Sequence, residues 1–218
     1  LIYWIKGLAW GLNLKAKVTE PDVSPLAVQG PRSDDLMAKI LGEEIRDLGF
    51  FRFKTFNFNS RELIIARSGY SKQGGFEIYV DDFSQGEAVW DALFEAGESL
   101  DVRAGCPNLI ERIESGLLSF GSDMTNENTP HESGLSKFCD TRNAIKCVGR
   151  DALLKEIENG PWRQIRSLSI HGPAVPQCRN MWEARKDNIV VGRVSSAVWS
   201  PDYQTNVALG MIHRDHWD

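Results

Sequence analysis

The chain has 218 residues, 42% of them hydrophobic and 25% charged, which is apolar material enough for one large domain or two modest ones and excludes a fibrous, low-complexity or disordered chain. Lys and Arg number 25 against 30 Asp and Glu, a formal charge of −5. No basic run is long enough to track a phosphate backbone, so nucleic acid is not an expected partner; nor is there a stretch of about 18 uncharged apolar residues to cross a membrane.

The opening segment predicts a helix, because Leu1, Trp4, Ile5, Leu8 and Leu12 recur at the spacing of one helix face. Lys6 interrupts it and no basic leader precedes it, against a signal peptide. Since the chain starts inside a helix and without Met, its natural N-terminal part is expected to be missing. Leu26 to Gln29 reads as a short strand closed by Gly30-Pro31, with Ser33 placed to cap a helix carrying Leu36, Met37, Ile40 and Leu41 and ended by Gly42. Phe50 to Phe58 and Leu63 to Ala66, joined by the polar turn Asn59-Ser60, predict a hairpin. A strand follows from Phe76 to Val80, then a capping box Ser84-x-x-Glu87 opening a helix of Val89, Trp90, Leu93 and Phe94 that stops at Gly97. Pro107 is expected as a first helical residue ahead of Leu109, Ile110, Ile113 and Leu117.

From about Arg150 the character changes. A short helix over Asp151 to Glu158 gives way to β-like runs at Gln164 to Ile170, Ile189 to Ala197 and Val207 to Ile212. Hairpins and helices without regular alternation favour an α+β fold, with a boundary between residues 1–149 and a β-rich unit over 150–218. The four cysteines, Cys106, Cys139, Cys147 and Cys178, form no CxxC pair or zinc-type grouping, the usage of a reduced, cytoplasmic protein. His213-x-x-His216 lacks a carboxylate cage and reads as surface, so no metal is expected. No nucleophile elbow supports a hydrolase.

The most informative segment is Gly69-Tyr70-Ser71-Lys72-Gln73-Gly74-Gly75-Phe76-Glu77-Ile78-Tyr79-Val80. In an extended strand Phe76, Ile78 and Val80 share one face, toward the core, and Glu77 and Tyr79 share the other. That second face can be solvated or can line a pocket. Gly74-Gly75 removes bulk either for a ligand's approach to the backbone or for a turn.

This segment resembles the glycine-cleavage T-protein family, whose G-Y-T-G-x-x-G-F-E-I motif is matched by Gly69, Tyr70, Gly75, Phe76, Glu77 and Ile78. Further matches follow in order through Val28-Gln29-Gly30-Pro31, Ile65-Ala66-Arg67, Arg112-Ile113-Glu114-Ser115-Gly116, Pro130-x-Glu132-x-Gly134-Leu135, Val194-Ser195-Ser196, Trp199-Ser200-Pro201 and Asn206-Val207-Ala208-Leu209. Two stretches depart from the glycine-cleavage enzymes, Cys106-Pro107-Asn108-Leu109 and Ser71-Lys72-Gln73-Gly74. With Thr19 to Pro25 and Gly121 to Thr125, they look like the dimethylsulfoniopropionate demethylase branch.

The resemblance implies a folate-binding domain, incomplete at its N-terminus, followed by a β-barrel-like C-terminal domain. It implies tetrahydrofolate as the acceptor of a methyl group from a small sulfonium, giving methylthiopropionate and 5-methyltetrahydrofolate. Glu77 is carried over as the carboxylate that binds the pterin edge, with Tyr79 beside it and Tyr70 near the folate, although a core or turn aromatic is the plainer reading of Tyr70. The acidic residue that the family sets near the reacting nitrogen falls upstream of this sequence, so no catalytic residue is assigned. Aromatic faces suit a sulfonium, and Phe51 is the candidate among Phe50, Phe51 and Phe53, which otherwise read as core. Lys72, Arg67 or Arg52 can hold the substrate carboxylate. An aminomethyltransferase and a non-catalytic folate-binding protein are the rival readings, and a homodimer is compatible with all three.

Overall fold

The computed structural model describes residues 1–143 and 147–217. They gather into two compact units: Leu1–Gly69 with Gln73–Gly105, and Tyr70–Lys72 with Cys106–Asp218. This spatial grouping and the division expected at 149/150 differ, because α4 (Leu109–Glu114) packs against β7 (Ile189–Ser200) and β8 (Thr205–His213). The class is α+β, with two four-stranded antiparallel sheets and flanking helices.

In the first unit the sheet runs β1-β4-β3-β2, formed by β1 (Ser24–Gln29), β2 (Phe53–Phe58), β3 (Arg61–Ala66) and β4 (Gly75–Val80). The expected hairpin is β2 and β3, with Phe53 opposite Ala66 and Phe58 opposite Arg61. Alternation decides the faces: Phe56, Phe58, Leu63, Ile65, Phe76, Ile78 and Val80 are buried against Leu36 and Met37 of α2 (Ser33–Leu41) and Val89 and Leu93 of α3 (Gly86–Gly97). Each large side chain in that layer contributes roughly 1.5–3 kcal/mol relative to exposure.

Helix starts are set by other residues than expected. Ser33 is the first helical residue after the N-cap Arg32, and its hydroxyl donates to the Gly74 carbonyl at 3.4 Å instead of capping. Ahead of α3, a 3-10 turn over Phe83–Gln85 is capped by Asp82, which accepts from the Ser84 amide at 3.0 Å and the Ser84 hydroxyl at 2.7 Å. The Ser84 hydroxyl is thus spent as a donor to a carboxylate, a charge-assisted bond, and α3 starts after Gln85 with no side-chain cap. Pro107 lies outside α4, whose cap is Asn108, accepting from the Ile110 amide at 2.8 Å. The opening helix forms as α1 (Ile2–Gly11), but Trp4, Ile5 and Leu12 are exposed and only Ala9 is buried. Apolar residues from Leu1 through Ile5 surround the helix, so no single stripe concentrates them.

In the second unit the order is β5-β8-β7-β6, with β5 (Arg163–Ile170) and β6 (Trp182–Lys186) as edges not paired with each other among the described residues. The expected helix is α5 (Arg150–Asn159). β6 had no sequence signal, because Glu183, Arg185 and Lys186 mask its alternation.

Candidate functional site

The face of the first sheet turned away from α2 and α3 carries Glu77 and Tyr79, both half-buried. Register gives Glu77 small neighbours, Ala27 on β1 and Ala66 on β3, while Tyr79 lies between Pro25 and Ile64. Phe53, opposite Ala66, extends the Ala27–Glu77–Ala66 row across the sheet and is exposed. The Ser68 hydroxyl donates to Glu77 Oε2 in a short hydrogen bond. Among the described residues Ser68 is the only donor to that carboxylate, so its other oxygen has acceptor capacity for a ligand.

The two motif glycines beside this site serve a side chain. A Cβ at Gly69 or Gly75 would overlap the carboxamide of Gln29. That carboxamide donates to the carbonyls of Ser68 at 3.1 Å, Phe76 at 3.3 Å and Val28 at 3.3 Å. The bulk removed at Gly75 thus makes room for Gln29, while Gly74 has open space around it.

Phe51 is no core residue: it is 63% exposed, and its φ of 56° is a left-handed conformation that a bulky side chain rarely adopts. The turn is held by the Phe51 amide donating to the Arg67 carbonyl at 3.0 Å and the Arg67 amide donating to the Arg52 carbonyl at 2.9 Å. These bonds bring Phe51 to the end of the sheet that holds Ser68 and Glu77. Its ring lies 4.4 Å from that of Phe50. The three candidate cations separate as well. Arg67 pairs with Asp34 at 2.8 Å, and Lys72 pairs with Asp202 and, at 2.8 Å, with Glu114, which together hold its ammonium well above the usual lysine range. Arg52 has no carboxylate partner among the described residues; its guanidinium donates to the Phe51 carbonyl at 3.4 Å.

Tyr70 belongs to the second unit, where its hydroxyl donates to the Leu118 carbonyl at 2.7 Å. Other matched motif residues of that unit form buried networks that sequence reading missed. Asp123 accepts from Arg112 at 2.7 Å, the Ser119 amide at 2.8 Å, and the hydroxyls of Ser195 and Ser196 at 2.6 Å each. Neighbouring strand residues ordinarily face opposite ways, but a register shift between Val194 and Ser196 lets both serines reach one carboxylate oxygen. Arg112 also donates to the Ser196 hydroxyl at 2.6 Å and the Leu117 carbonyl at 3.0 Å. Glu114 accepts from Ser200 and Lys72. Buried Asn206 accepts from the Val175 amide and donates to the carbonyls of Ile170 and Pro173.

No group of three or more His, Cys, Asp or Glu among the described residues could hold a metal. The four cysteines are free, and burial pushes the Cys178 thiol up, away from the thiolate a nucleophile needs. No described helix is long and apolar enough to cross a membrane.

The chain is 54% identical over 211 residues to dimethylsulfoniopropionate demethylase DmdA of Ruegeria pomeroyi, a match covering 97% of this chain and 57% of that protein. It is 29% identical over 215 residues to an aminomethyltransferase of Caldanaerobacter subterraneus subsp. tengcongensis, covering 96% and 56%. The chain thus spans a little over half the length of the curated relatives it matches. In fold it is similar to the glycine cleavage system aminomethyltransferase T of Bartonella henselae, with a TM-score of 0.77 at 24% identity over 97% of this chain and 57% of that one. A family model for the GCVT N-terminal domain matches residues 2–143, which include both the Glu77 strand and the Arg112–Asp123 pair, and the chain belongs to that family.

Proposed function

We propose that this chain is part of a cytoplasmic, tetrahydrofolate-dependent demethylase that moves a methyl group from dimethylsulfoniopropionate to tetrahydrofolate, giving methylthiopropionate and 5-methyltetrahydrofolate. The observation that carries the reading is the 54% identity to the demethylase of Ruegeria pomeroyi along nearly the whole chain, against 29% to the aminomethyltransferase. The first sheet's outer face fits the cofactor. A pterin edge presents adjacent N–H donors, and Glu77 offers a carboxylate with one oxygen that accepts from no donor among the described residues and with alanines across the strands. Such a charge-assisted bond contributes roughly 1.5–3 kcal/mol.

When bound, tetrahydrofolate supplies the nitrogen that accepts the methyl group. Displacement at a sulfonium carbon needs no protein nucleophile, so the chain's task is to hold two molecules in near-attack geometry. Glu77 orients the pterin with Tyr79 beside it. Phe51 offers an aromatic face to the sulfonium, and a left-handed aromatic residue displayed to the surface is the kind of strained feature that collects at functional sites. Arg52, adjacent to it and without a carboxylate partner among the described residues, is the cation for the substrate carboxylate. Tyr70 is a separate proposal as a folate contact through its ring, since its hydroxyl is already used.

Product analysis tests the reading. Incubation of the full-length protein with dimethylsulfoniopropionate and tetrahydrofolate is expected to yield 5-methyltetrahydrofolate and methylthiopropionate. Formation of 5,10-methylenetetrahydrofolate from an aminomethyl donor would make it an aminomethyltransferase, and folate binding without turnover of any donor a binding protein.

A further inference from the structure

We infer that Ser68 is a positioning residue: it fixes the carboxylate of Glu77 in one orientation, and Gln29 in turn fixes Ser68. The inference rests on the proposed role of Glu77 in holding the pterin.

A glutamate side chain has three rotatable bonds, and ordering it costs conformational entropy. On this sheet face its cross-strand neighbours are alanines, Ala27 and Ala66, too short to wedge it. The orientation therefore comes from the one protein donor it has among the described residues, the Ser68 hydroxyl on Oε2. Ser68 lies just past the end of β3, where strand pairing no longer fixes it, yet the residue before it and its own carbonyl are tied down. Upstream, Arg67 is held by Asp34 at 2.8 Å, by the Arg52 carbonyl at 2.9 Å and by the face of the Phe76 ring at 4.9 Å. At Ser68 itself the carbonyl accepts from Gln29 at 3.1 Å, and Gly69 lets that carboxamide pack against the backbone. The result is a chain of contacts from Gln29 through Ser68 to Glu77 that sets the carboxylate before any ligand arrives. Preorganisation of this kind lowers the ordering cost that binding must otherwise meet.

The test is calorimetric titration of the full-length protein with tetrahydrofolate, alongside thermal unfolding. Ser68→Ala is expected to weaken binding about fivefold to tenfold, because the released carboxylate must then be ordered as the ligand binds. Ser68→Thr, which keeps the hydroxyl, is expected to restore near-native affinity. If the alanine variant does not fold, Ser68→Cys preserves the size and replaces a strong donor by a weak one, with the same expected loss. In a Glu77→Ala background the Ser68→Ala effect is expected to vanish. Tight binding by both Ser68→Ala and Ser68→Cys while Glu77→Gln loses affinity overturns the positioning role and leaves Glu77 in the site. A Ser68 effect of full size without Glu77 overturns it as well. Unchanged affinity in Glu77→Gln removes Glu77 from the site, and the role of Ser68 with it.

Discussion

Glu77, in the matched family motif, and Asp123, in the stretch that looks like the demethylase branch, are both carboxylates, yet their surroundings are opposite. Asp123 receives four donors on its two oxygens and its side chain is fully buried. Among the described residues Glu77 receives one, on a half-buried sheet face between alanines. A buried carboxylate with every acceptor position used has nothing left to offer a ligand, and its value lies in pinning α4 to β7. A carboxylate with unused capacity costs stability unless something else uses it. Of these two carboxylates one is spent on holding the fold and the other keeps acceptor capacity.

The sharpest way to break this contrast is at the buried pair. Asp123→Ala is expected to cost about 3–5 kcal/mol in urea unfolding, because it strands the Arg112 guanidinium without its counter-charge; a loss below 1 kcal/mol would show the network to be dispensable. Glu77→Gln is expected to weaken tetrahydrofolate binding by more than about tenfold, equivalent to about 1.4 kcal/mol, with the unfolding midpoint unchanged. A fall in stability with folate binding intact would move Glu77 into Asp123's class. Phe51→Gly should raise the Michaelis constant for the sulfonium severalfold, for a contact of about 0.5–2 kcal/mol, while relieving about 1 kcal/mol of left-handed strain. Simultaneous loss of stability would make the residue structural. Smallest is Asp82, whose carboxyl is held down at about 2 by the Ser84 hydroxyl and Arg61. A carboxyl depressed by folding adds stability that is complete above pH of about 4, the ordinary range, and disappears as pH falls toward 2. Its NMR titration should show a midpoint near 2, and Asp82→Asn should remove that part of the acid-limb slope; a midpoint near 4 would dissolve the cap.

What was legible in the sequence was whatever a short period encodes. Phe76, Ile78 and Val80 declared their face by strict alternation, and the β2–β3 hairpin declared itself by its polar turn. The motif around Glu77 pointed to the strand and the face, but not to Ser68, whose hydroxyl meets Glu77 only once β3 and β4 are in register. The Arg112–Ser196 contact spans 84 positions and the Ser196–Asp123 contact 73, and nothing local forecasts either. Caps went astray at Ser33 and Ser84 for a different reason. Ser33 falls inside its helix, whose start carries no side-chain cap, and Ser84 falls inside the 3-10 turn that Asp82 caps, because the residue at which a helix begins depends on backbone angles that composition does not fix.

The wedge of Gln29 between Gly69 and Gly75 also constrains how the protein can be redesigned. At position 69 the three atoms nearest to a methyl group all belong to the Gln29 side chain, so shortening residue 29 has to come before alanine there. At position 75 the Val28 carbonyl stands in the way too, and no change of side chain removes a backbone oxygen. The order of substitutions matters at the first glycine, and at the second there is no permissible order.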